Sequence, residues 1–214
     1  LLGHALAQGF APERCRPLLE GALRWMRGQR RPEGFGACFA AATNIGEPGE
    51  PSPTRISWCY GDLGLSVAWL IAARGAGNPA WEAEALEVAR LCTRRPPPEG
   101  AADACLCHGF AGNAHLYNRL WQATGEAVFA EAARAWMEVA LRFRKPGEGI
   151  AGFRAYMPGL TGREDPWEDA KGLLEGATGV GLALAAALDP VVPAWDRMLL
   201  VDIPGRHDVQ ISEA

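Results

Sequence analysis

Two cysteines stand at matched places in the sequence. In RISWCYGDLG, Cys59 lies two residues before Gly61; in CLCHGFAG, Cys107 lies two residues before Gly109, with His108 between them. Each of these glycines opens a Gly-x-x-Gly step, 61–64 and 109–112, that runs into an apolar stretch. In a repeat fold, equivalent positions of neighbouring units lie side by side. Cys59 and Cys107 are then neighbours at two helix entrances, and His108 is adjacent to both. Two sulfurs and an imidazole suit zinc, which takes thiolate and imidazole ligands in tetrahedral geometry. Structural zinc sites are closed by four protein ligands, whereas catalytic ones keep a position open, and three good candidates favour the open kind. Two thiolates also offset the ion's charge, so a thiol taken up at the open position would have a lowered pKa and a nucleophilic sulfur.

A structural reading competes with this one. A lone cysteine is usually a small buried hydrophobe, and Cys15, Cys38 and Cys92 read that way. His4 and His115 fall inside helical patterns. Cys105 is the alternative fourth ligand, being close to Cys107, but it lacks the position that the repeat matches. On the residues alone, a metal site and a set of incidental cysteines stand level.

The elements that must position these residues recur. A third Gly-x-x-Gly step lies at 176–179, and the three steps are 48 and then 67 residues apart. The helices that follow carry LSVAWLIAAR, NAHLYNRLWQ and VGLALAAAL. The first and third are apolar nearly all round, as a helix buried on every side should be. Between them come amphipathic patterns over 13–30, 79–94 and 126–144. In 79–94 the apolar positions Trp81, Ala85, Val88 and Cys92 share one face, and Asn78 is placed to cap the helix with Pro79 in its first turn. Buried helices alternating with one-faced helices predict two concentric layers, because units that cannot bury their own apolar face need stacked neighbours. The expected fold is all-α, an α/α toroid of inner and outer helix rings, with a plain helical solenoid as the alternative. Residues 31–57 and 145–171 break the rhythm as long Gly- and Pro-rich loops with short β pieces in FGACFAAAT and GIAGFRAYM; EPGEPSPT looks the most exposed.

Bulk properties narrow the class. The chain has 214 residues, 49% of them hydrophobic, with a formal net charge of -4. One sizeable domain over 1–214 is expected. The mildly acidic balance argues against nucleic acid, which needs a basic face. No apolar run reaches the roughly 18 residues of a membrane span. Six cysteines in a long, core-rich chain without a signal peptide read as reduced thiols in a cytoplasmic protein. LLGHALAQGFAPE reads as the last turns of a helix closed by Gly9, so the chain is expected to be the C-terminal portion of a longer toroid.

The motifs SWCYG, CHGFAG and GLLEGATGVGLAL together resemble the lanthionine cyclases, the LanC-like family, over nearly the whole chain; even PAWDRMLLVD resembles the family's C-terminus. The resemblance implies a toroid with zinc at the top of its inner ring, held by Cys59, Cys107 and His108. It also implies that Arg55 and Tyr60 lie near the reaction centre. The activity it implies is zinc-dependent closure of thioether rings in a dehydrated precursor peptide, by addition of cysteine thiols to dehydroalanine or dehydrobutyrine. A lanthipeptide dehydratase is the implied partner. The alternative is a protein of the same fold that holds zinc and a thiol of the glutathione type without cyclising anything. A prenyltransferase subunit fits less well, because its ligands normally include an aspartate. One departure from the family pattern stands out: its histidine general acid, from an Ala-His-Gly type motif, would precede residue 1, and His4 does not match that motif. An isolated 214-residue chain is therefore expected to be inactive.

Overall fold

The structure is a computed structural model, and it describes residues 1–43, 46, 51–97, 103–158 and 164–205. Among the described residues seven α-helices follow one another: α1 Leu2–Ala7, α2 Pro12–Gly28, α3 Asp62–Ala76, α4 Pro79–Thr93, α5 Phe110–Thr124, α6 Ala127–Arg142 and α7 Ala177–Leu188. The odd-numbered helices pack in series, α1 on α3, α3 on α5 and α5 on α7, while α4 backs α3 and α6 backs α5. This is the expected arc of inner and outer helices, a partial α/α toroid.

Local chemistry accounts for the boundaries. The Asn78 side chain accepts the Trp81 amide at 3.1 Å, and Pro79 fills the first turn where no amide is needed. Gly77 and Gly125 close α3 and α5 with φ of 64° and 75°, a region that favours glycine. α3 is buried almost throughout, from Asp62 through Gly75, because α1, α4 and α5 surround it. α7 is as apolar as α3 yet leaves Leu188 87% exposed. It packs on α5 and has no outer helix of its own among the described residues. The outer helices meet through ion pairs, Arg27–Glu84 and Arg90–Glu126, each 2.7 Å.

The long loops contain little strand. Ala155–Tyr156 (β1) pairs antiparallel with Trp167–Glu168 (β2), and in the first loop Ala40 bridges Pro53, with the Ala41 amide donating to the Ser52 carbonyl at 2.9 Å. In EPGEPSPT, residues 47–50 lie outside the described residues; Pro51 to Pro53 are exposed, and Thr54 is buried.

A segment that sequence patterning did not identify as an anchor straps the far ends of the inner helices. The 3-10 helix Trp195–Leu199 places Asp196, fully buried, 2.8 Å from Arg119 Nε and 3.1 Å from His115 Nε2. Trp195 stacks on His115 at 4.6 Å. Farther on, Arg74 donates to the Pro204 carbonyl at 2.7 Å, and Asp202 pairs with His4 at 3.2 Å. One strand of chain therefore touches α1, α3 and α5.

Candidate metal centre

The site grows out of a loop built three times. Before α3, the amide of Asp62 donates to the Arg55 carbonyl at 3.2 Å and that of Gly64 to the Ser57 carbonyl at 3.0 Å. Before α5, Phe110 donates to Asp103 at 3.0 Å and Gly112 to Cys105 at 3.3 Å; before α7, Ala177 donates to Ala170 at 3.0 Å. These partners keep the 48- and 67-residue offsets of the sequence. Glycine at the second position of each step is a steric need. A Cβ on Gly64, Gly112 or Gly179 would run into the carbonyl oxygen of Trp58, Leu106 or Leu173.

Backbone bonds then link each loop to the next. The amides of Trp58 and Cys59 both donate to the Cys107 carbonyl, at 3.2 and 3.4 Å. The amides of Leu106 and Cys107 donate to the Leu174 carbonyl, at 3.0 and 2.9 Å. The ladder brings Cys59, Cys107 and His108 together: two sulfurs and an imidazole nitrogen lie within 4.8 Å of one another. Cys107 is buried, and Cys59 and His108 are half-buried. Burial first, then the adjoining Cys59 thiol, pushes the Cys107 thiol well above the usual cysteine range. Without a cation it therefore stays protonated at neutral pH. All six cysteines are free thiols.

Around this cluster, Arg55 Nη2 donates to Cys59 Sγ at 3.6 Å, a reach suited to a polarisable sulfur. Tyr60 points its side chain outward, 74% exposed, while its carbonyl accepts the Thr54 hydroxyl at 3.2 Å. A cavity of about 650 Å³ begins at Trp58, Cys59 and Tyr60 and runs between α1, α2 and α3, lined mainly by apolar side chains such as Leu23, Met26 and Trp69.

Cys105 belongs to a different grouping. Its sulfur lies with Asp103 and His108 in a second set of ligand atoms within 4.8 Å of one another. Asp103, fully buried, already accepts two amides, from Cys105 at 2.9 Å and from Tyr156 at 2.7 Å. Both of its oxygens are engaged in holding the loop and β1. His4 and His115 sit in helices α1 and α5 and join neither group of ligand atoms among the described residues, and His115 is core.

Sequence reasoning missed Glu175. Its carboxylate Oε2 lies 3.6 Å from His108 Nδ1. The signal was available, because the third Gly-x-x-Gly step puts Leu174 at the place of Cys59 and Cys107, and Glu175 at that of Tyr60 and His108.

An arc of paired inner and outer helices, with sulfur and imidazole donors on the loops that enter the inner ring, defines a helical toroid of a particular kind. Residues 4–200 match the family described as lanthionine synthetase C-like protein, and the chain belongs to that family. Among solved structures it is similar to nisin cyclase, with a TM-score of 0.70 and 17% sequence identity. That likeness covers 94% of this chain and 46% of the nisin cyclase chain, so the chain spans about half of that relative's length. At such identity the likeness is one of fold. No match was found among curated protein sequences. No helix among the described residues is long and apolar enough to cross a membrane.

Proposed function

We propose that the whole protein is a zinc-dependent peptide cyclase, closing lanthionine or methyllanthionine rings in a dehydrated precursor peptide. The observation that carries this reading is the convergence of Cys59, Cys107 and His108 within 4.8 Å, in a chain of the LanC-like family. The donor set fits zinc, since two sulfurs and one imidazole at this spacing can share a tetrahedral ion and leave one position open. The ion supplies a charge that lowers the pKa of a thiol at that position.

The chain's own residues supply the rest. Arg55, 3.6 Å from Cys59 Sγ, sets a guanidinium beside the sulfurs. There it can stabilise the enolate oxygen that forms when a peptide thiolate adds to the β-carbon of a dehydroamino acid. Tyr60, exposed at the mouth of the apolar cavity, can hydrogen-bond the peptide or relay the proton that the α-carbon must gain. The substrate needs dehydroalanine or dehydrobutyrine already in place, so a lanthipeptide dehydratase is the partner whose product this enzyme would use. Residues 1–214 act as part of one toroid domain, and activity belongs to the whole of it.

The test is to incubate the full-length protein with a dehydrated precursor peptide and follow its free thiols. Zinc-dependent loss of thiols at unchanged peptide mass is expected. Thiols that persist while zinc stays bound would favour a zinc- and thiol-binding protein of the glutathione type.

A further inference from the structure

Three loop tips meet at the inner-ring entrance, and two of them supply the sulfurs. The third cannot, because Leu174 stands where Cys59 and Cys107 stand. Its backbone is nonetheless bonded into the same ladder, with the Leu174 carbonyl accepting both the Leu106 and the Cys107 amide. Glu175 is thereby fixed against the Cys107–His108 turn, its Oε2 3.6 Å from His108 Nδ1 and its side chain a third exposed. At 3.6 Å the pair is an ionic contact, longer than a hydrogen bond.

We propose that Glu175 is a positioning residue for the metal centre: its carboxylate takes the Nδ1–H of His108 and so aims Nε2 at the sulfurs of Cys59 and Cys107. The inference rests on the zinc reading of those three residues. An imidazole has two nitrogens, and a metal can use only the one left without a proton. A carboxylate on the other nitrogen fixes the tautomer, holds the ring plane and makes the ligand more basic. Asp103 and Cys105 also lie beside His108. Both Asp103 oxygens are taken by backbone amides, however, whereas the Glu175 carboxylate faces the His108 ring and the Cys107 thiol together. The third repeat thus contributes the group that orients a ligand from the second repeat.

The experiment uses the full-length protein and two variants, Glu175→Gln and Glu175→Ala. Zinc affinity is measured by competition with a chromophoric chelator, and the His108 ring nitrogens are read by ¹⁵N NMR. The wild type should show zinc on Nε2 and a protonated Nδ1. Affinity should fall roughly 10- to 100-fold in Glu175→Ala and by less in Glu175→Gln, which keeps an acceptor oxygen. Far-UV circular dichroism should not change. If Glu175→Ala fails to fold, the near-isosteric Glu175→Gln decides. Equal affinities, or zinc on Nδ1 in the wild type, would overturn the positioning role and leave the zinc reading intact. A wild type that binds no zinc would overturn both.

Discussion

The amide of Cys59 donates to the carbonyl of Cys107 at 3.4 Å, and the amide of Cys107 donates in turn to the carbonyl of Leu174 at 2.9 Å. The two sulfurs are therefore neighbours because their loops are joined main chain to main chain. Side chains add the chemistry, but the spacing of the cluster is a property of the repeated backbone turn. The consequences below follow from that turn and from the groups packed around it.

The turn depends on glycine at its closest approach. A Cβ at position 112 would run into the Leu106 carbonyl oxygen, which is backbone and cannot swing aside. Gly112→Ala should cost about 1–3 kcal/mol or more by overpacking. It should also weaken metal binding, because the Cys107–His108 turn must shift. Denaturant unfolding and metal titration of the variant check this; an unchanged midpoint would mean that the turn is looser than described.

Asp103 holds the same turn from behind. Its two oxygens accept the amides of Cys105 and Tyr156, and it is fully buried. Asp103→Ala leaves the buried Cys105 amide and the half-buried Tyr156 amide without this partner, at about 1–3 kcal/mol for the buried one and less for the other. The expected result is a marked drop in the unfolding midpoint, with faster hydrogen exchange at Tyr156 than at residues of α3.

How much of this could be read in the sequence depended on whether the information was local. Cys59, Cys107 and His108 were legible because Gly-x-x-Gly gives a register, and register alone makes distant positions adjacent. The helix cap at Asn78 was legible because it rests on a residue's own backbone preference, whereas Gly125 as the close of α5 was not singled out. Glu175 was legible in principle by the same register, but a glutamate in a loop carries no chemical flag until its distance to His108 is known. Asp103 and Asp196 were not legible. Their partners, Tyr156 in one case and His115 and Arg119 in the other, lie 53 and up to 81 residues away, and no periodicity links them. The exposure of α7 was misjudged from composition, because an apolar helix at the edge of an arc has the same sequence pattern as one inside it.

Arg55 separates structure from chemistry. Its guanidinium reaches Cys59 Sγ at 3.6 Å without being one of the three clustered donors. In the full-length protein, Arg55→Ala should slow thioether formation roughly 100-fold, the scale for loss of one oxyanion-stabilising donor. Zinc content should be unchanged. Loss of the metal in that variant would make Arg55 a structural support of the site.

Alkaline pH should destabilise the chain, and Cys38 accounts for a measurable part. Burial, and then the nearby Asp62 carboxylate, push its thiol from the ordinary value of 9.0 to about 11. Because the folded-state value is the higher one, the stabilisation is fully present below pH 9. It is lost as pH rises from 9 through 11. A shift of that size corresponds to roughly 2–3 kcal/mol. Cys38→Ala should flatten the fall in stability between pH 8 and 11 by about that amount, as read from urea midpoints across the range. A variant as alkali-sensitive as the parent would place the effect in other groups.

The central claim is that Cys59, Cys107 and His108 hold one zinc ion with a position left open. The most direct measurement is the metal content of freshly purified full-length protein, wild type beside Cys59→Ala and Cys107→Ala, with cobalt substituted for zinc to read the ligand set. One zinc per wild-type chain is predicted, with a cobalt spectrum showing two thiolates that changes when a small thiol is added, and no retained metal in either variant. A metal-free wild type, or variants that keep their zinc, would contradict the account.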